Sequence, residues 1–73
     1  MSFYDYEVSK LISAGTCTVP DPPFAALIMA AIRKADTDNV AKIELAWPRI
    51  YKEFVERYHA PGGILPDEGI VHG

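Results

Sequence analysis

Six of the seven basic residues of this chain, Arg33, Lys34, Lys42, Arg49, Lys52 and Arg57, lie between positions 33 and 57 and are interleaved with Trp47, Tyr51 and Tyr58. Guanidinium forks grip phosphate oxygens two hydrogen bonds at a time, and flat aromatic rings stack on bases. The mixture predicts a site for a small anionic, nucleotide-like ligand. Its candidate binding residues are Arg33, Asn39, Trp47, Arg49, Arg57 and Tyr58, with Asn39 and Tyr58 placed near helix ends to supply hydrogen bonds. The plainer reading is that the aromatics are in phase with a core and the cations are neutralised by neighbouring glutamates.

Other chemistries have less to stand on. Cys17 has no histidine near it in sequence, and a nucleophilic pair would require the fold to bring His59 or His72 to it. Glu56 and His59 have the E-x-x-H spacing used by metal sites in helical bundles. Such sites need further inward carboxylates, however, and Glu44, Glu53 and Glu56 all fall off the apolar stripe, so Glu56 reads better as a salt-bridge partner. Gly62 and Gly63 follow a helix instead of opening one, which is the wrong order for a phosphate loop. The expectation is a binding protein that is not an enzyme and has neither metal nor cofactor.

A chain of 73 residues has room for one domain and buries only about 60% of the surface its unfolded form exposes. Reinforcement is therefore needed. One cysteine makes no internal disulfide and suits a reducing compartment, which leaves oligomerisation. A net charge of −3 disfavours indiscriminate nucleic-acid binding, so no direct DNA binding is expected. The N-terminus MSFYDYE is unlike a signal peptide. The longest apolar run, Phe24–Ile32, falls short of the about 20 residues a bilayer requires. A cytoplasmic protein with no membrane association follows as the expectation.

The elements that would position the site are helical. Ser2 with Asp5 is a start signal, Tyr4, Val8, Leu11 and Ile12 form one stripe, and Gly15 is placed to end a first helix. The loop GTCTVPDPP leads to Asp21 as N-cap and Pro22 as first residue of a second helix running to about Ala35. That helix has a core face of Phe24, Leu27, Ile28, Ala31 and Ile32. Ala25, Ala26, Met29 and Ala30 leave it no polar side, so it must be covered all round; Ala26 and Ala30 make a flat strip for close helix approach. Asp36, Thr37, Asp38 and Asn39 offer caps for a third helix. Its stripe, Val40, Ile43, Trp47, Ile50, Tyr51, Phe54 and Tyr58, runs in phase across Pro48, predicting one kinked helix or two nearly collinear ones. Arg49/Glu53, Lys52/Glu56 and Glu53/Arg57 are spaced to pair on the opposite, solvated face. After His59 the prolines and glycines predict no helix, and the division is a helical domain at 1–63 followed by an arm at 64–73, which either lays Ile64, Leu65, Ile70 and Val71 over the helices or a neighbour or is a frayed terminus ordered only in its first half.

The residues D21-P-P-F, L27-I-M-A-A, R33, A35-D-T-D-N39, W47-P48, E53 and R57-Y-H-A-P-G-G63 together resemble a group of small, mostly uncharacterised proteins encoded by tailed phages. The likeness spans about 43 residues. It implies an accessory factor that disarms host defence, either by sequestering a nucleotide signal or by docking on a host defence protein. The combined expectation is a compact all-α protein of three helices, the third kinked at Pro48, with an extended C-terminal arm. A homo-oligomer completes it and captures an anionic ligand in a crevice between chains.

Overall fold

The computed structural model describes residues 2–69. All regular structure among them is helical: α1 (Phe3–Ala14), α2 (Phe24–Lys34), α3 (Thr37–Ala46), α4 (Pro48–His59), a 3-10 turn (Pro61–Gly63) and a one-turn α5 (Pro66–Gly69). None of these helices is long and apolar enough to cross a membrane.

The first helix has the caps its sequence calls for. Ser2 Oγ accepts from the Asp5 N–H at 3.3 Å, and Gly15 adopts φ 76°. The Thr16 and Gly15 N–H groups then return to the Leu11 and Ile12 carbonyls, closing the left-handed C-terminal motif that glycine permits. Its inward face differs from the expected stripe. Asp5, Tyr6, Val8 and Ser9 are buried, whereas Tyr4 and Leu11 are exposed. The helix is turned so that Tyr6 reaches the core and Ser9 meets α2, a polar demand that apolar periodicity does not register.

Helix α2 starts later than Asp21 and Pro22 suggest. Pro23 sits at the N-cap position with ψ 149°, and among the described residues no side chain caps the helix. The cause is the second proline: a residue followed by proline is driven out of the α region, so Pro22 cannot be a first helical residue when Pro23 comes next. The buried face is also rotated from the expected one. Ala26, Met29, Ala30 and Ile32 point inward, and Phe24, Leu27 and Ala31 do not. The small side chains of Ala26 and Ala30 face the close helix neighbour, and α1 is the element that packs most extensively on α2. One side of α2 is thereby covered by the chain itself and the other is left open.

Asp36 caps α3, its carboxylate accepting from the Asn39 N–H at 2.9 Å. The long third helix is divided in two by Trp47, which has φ −136° and ψ 67°. Pro48 again explains the break, because it holds the preceding residue out of α geometry while serving as the first residue of α4. The core is a cluster of Tyr6, Met29, Ile32 and Phe54, flanked by half-buried Ile28, Ile43, Ile50, Tyr51 and Val55. Tyr6 and Phe54 meet with ring centroids 5.8 Å apart.

The segment after His59 is not wholly non-helical. Pro66 begins the short α5 with Asp67 and Glu68 in its first turn; proline, a breaker inside a helix, is favoured at its first position. Ile70 and Val71 of the expected arm lie outside the described residues. Gly63, at φ 76°, lies against the core, where an added Cβ would stand 2.6 Å from Tyr6 Cε2. Gly62 also has positive φ, but among the described residues nothing lies within 4 Å of a Cβ added there. Gly63→Ala is expected to cost about 2–4 kcal/mol through clash plus strain, and Gly62→Ala about 1 kcal/mol through strain alone. Guanidinium denaturation of the two variants measures the difference.

Candidate functional site

Only Ala35 and Asp36 separate α2 from α3, so the end of one helix is held against the side of the next. A groove of about 540 Å³ lies between them, lined by Ala31, Lys34, Ala35, Asn39, Lys42, Ile43, Ala46 and Trp47. The α3 contributors Asn39, Lys42, Ile43 and Ala46 stand at i, i+3, i+4 and i+7, one helical face. Among the described residues neither lysine makes an ion pair and no carboxylate lines the groove. Trp47 closes one end. Trp47 is 39% exposed, and its ring is braced edge-on by Phe24, with centroids 5.7 Å apart. Two ammonium groups, an amide and a partly open indole thus share one apolar-floored groove, a set able to pair with an anion and lie against a flat ring.

Of the six candidate residues, the structure brings Asn39 and Trp47 together here. Arg33 is turned the other way. Its guanidinium carbon lies 4.9 Å from the Tyr6 ring centroid and 5.0 Å from that of Phe54, and its Nε donates to Ser9 Oγ at 3.1 Å. Ser9 Oγ in turn donates to the Tyr6 carbonyl at 2.6 Å. Arg33 therefore ties α2 to α1 and α4 through ring faces and one hydroxyl. Its Nη2 is buried with no hydrogen-bond partner among the described residues.

Arg57 is 2% exposed, although its spacing puts it on the face read as solvated. Nε donates to Glu53 at 2.9 Å. Nη1 donates to the Gly63 carbonyl at 2.9 Å and to Glu68 Oε1 at 2.8 Å. Nη2 completes the fork on Glu68 Oε2 at 2.7 Å. Glu68 also accepts from the Leu65 N–H at 3.1 Å. This clasp holds the C-terminal segment onto α4, and its residues do not line the groove. Of the expected i, i+4 pairs only Glu53/Arg57 forms; Arg49/Glu53 and Lys52/Glu56 do not among the described residues, because Glu53 bends toward the buried guanidinium and the others stay in water. Arg49 is exposed, and Tyr58, also exposed, stacks on Phe54 with ring centroids 6.0 Å apart. Neither lines the groove.

Lys34 and Lys42 line the groove in place of the arginines expected there. Their signal was present: Lys34 closes α2 one residue before a two-residue turn, and Lys42 shares a helical face with Asn39. No family model, curated protein or solved structure matches this chain.

The clasp sets an acid dependence. The Arg57 guanidinium, aided by the Leu65 N–H, holds the Glu68 carboxyl down to about 2 from its ordinary 4.5. Glu68 in turn raises Arg57 further above its already high value. A folded-state value below the unfolded one means the unfolded chain takes up the proton first, so the contribution is complete above about pH 4.5 and is lost as pH falls through about 2. Glu68→Gln should flatten the acid limb of a Tm-against-pH curve over that window. Arg57→Met, which removes the whole clasp, should lower Tm at neutral pH by about 5–10 °C.

Proposed function

We propose that this chain is a small non-enzymatic binding protein whose α2–α3 groove captures an anionic, nucleotide-like ligand. The carrying observation is the convergence of Lys34 and Lys42, unpaired among the described residues, with Asn39 and the braced Trp47 ring around one groove. A phosphate placed between the two ammonium groups receives charge-assisted hydrogen bonds, and a base or sugar reaches the amide and the indole. The groove volume lies within the range that small-molecule sites occupy.

The open side of α2 supports a second copy as part of the site. Phe24, Leu27 and Leu45 are all exposed, Leu45 to 83%, and Phe24 touches the tryptophan at the mouth of the groove. Large apolar side chains left in the open beside a ligand groove favour a homo-oligomer in which another copy roofs it. On the resemblance to tailed-phage accessory proteins, such a binder serves to withdraw a nucleotide signal from host defence. The same exposed side chains favour the second reading, an inhibitor that docks on a host defence protein through this surface.

Trp47 is the sole tryptophan, so its fluorescence reports on the groove without ambiguity. Adenosine monophosphate is expected to change that fluorescence saturably. Lys34→Ala and Lys42→Ala should each raise Kd about tenfold while leaving Tm unchanged, and Arg49→Ala should leave both alone. Native mass spectrometry of protein purified without refolding distinguishes the two readings. An oligomer retaining a small molecule supports capture. A monomer without added mass, together with no fluorescence response, moves the assignment to the protein inhibitor.

A further inference from the structure

The far end of α4 and the segment clasped to it enclose a second, larger groove of about 820 Å³. Its floor is apolar, built from Ile64, Leu65 and Pro66 beside the last turn of α4, and its rim carries Glu56, His59 and Asp67. We propose that this groove docks an extended basic–apolar peptide segment of a partner protein. An apolar side chain of that segment lies between Ile64 and Leu65, and a neighbouring lysine or arginine reaches Glu56 and Asp67. The proposal is independent of ligand capture in the α2–α3 groove.

Charge complementarity selects this occupant. Neither Glu56 nor Asp67 has an ion pair or side-chain hydrogen bond among the described residues, although Lys52 stands one helical turn before Glu56. Two unpaired carboxylates on an apolar floor, in a chain of net charge −3, repel the anions that the other groove favours and attract cations. A metal ion does not fit the description, since no three His, Cys, Asp or Glu side chains among the described residues converge to hold one. A simple amine leaves the apolar floor uncovered, and Ile64 is 46% exposed there. A peptide satisfies both halves, charge at the rim and apolar burial on the floor.

The floor is also pre-organised. Arg57 fixes the Gly63 carbonyl, and Glu68 accepts the Leu65 N–H. Ile64 and Leu65 are therefore held between two anchored points before any partner arrives, which lowers the ordering cost of binding.

Amide NMR of the full-length chain, titrated with acetyl-Leu-Arg-Leu-Lys-amide and separately with acetyl-Leu-Glu-Leu-Glu-amide, tests this. The basic peptide is expected to produce saturable shifts centred on His59, Ile64 and Leu65, and the acidic peptide none. Glu56→Gln and Asp67→Asn, both at exposed positions that leave the fold intact, should each raise Kd for the basic peptide about fivefold. Equal binding of both peptides, no saturable shift, or shifts confined to the α2–α3 groove overturns the proposal. So do shifts at these residues that depend on protein concentration alone, which would assign the groove to a second copy.

Discussion

The buried guanidinium of Arg57 is the constraint on which the C-terminal third depends. A cation taken out of water at 2% exposure must be neutralised and hydrogen-bonded, and two carboxylates and a backbone carbonyl do this together. Satisfying it forces Gly63 into a left-handed turn against Tyr6, and Tyr6 is a member of the core. The same bonds hold Glu68 in the first turn of α5 and leave Ile64 exposed and Leu65 half-buried. A single side chain thus links α4, the C-terminal segment and, through glycine and tyrosine, α1.

The cations accordingly divide by task. Arg33 and Arg57 are drawn inward because planar, weakly hydrated guanidinium can lie on rings and fork onto carboxylate at low desolvation cost. The compact, strongly hydrated ammonium groups of Lys34 and Lys42 stay at the surface of the α2–α3 groove. Arginine makes the better phosphate fork in isolation, yet in this fold that quality makes it the better internal fastener. The proposed anion groove therefore uses lysine, and the acidic rim at the other end of the molecule is left with carboxylates that the arginines have not neutralised.

Much of the helical framework was legible in the sequence because it rests on local rules: the Ser2 and Gly15 ends of α1, the Asp36 cap of α3 and the interruption at Pro48. Facing was less legible. Periodicity ranks Tyr4, Leu11, Phe24 and Leu27 as core because they are apolar, whereas the packed faces are chosen by shape, with Ala26 and Ala30 facing inward, and by the Ser9–Arg33 contact. The rotation of α2 also leaves Phe24 and Leu27 exposed. For the site, Asn39 and Trp47 could be read from position and type. The inward turn of Arg57 could not, because its second carboxylate lies eleven residues away beyond a glycine turn, a closure that no short-range pattern encodes.

Side-chain NMR tests most directly whether Arg33 and Arg57 fasten the fold while the lysines of the α2–α3 groove meet the anion. The measurement follows the Arg57 Nε–Hε signal and the Lys34 and Lys42 ammonium signals during one titration with adenosine monophosphate. The account predicts an Arg57 proton slow to exchange and unmoved throughout, with the two lysines shifting together to a common saturation point. An Arg57 signal that exchanges freely and follows the nucleotide, while the lysines stay still, would contradict it.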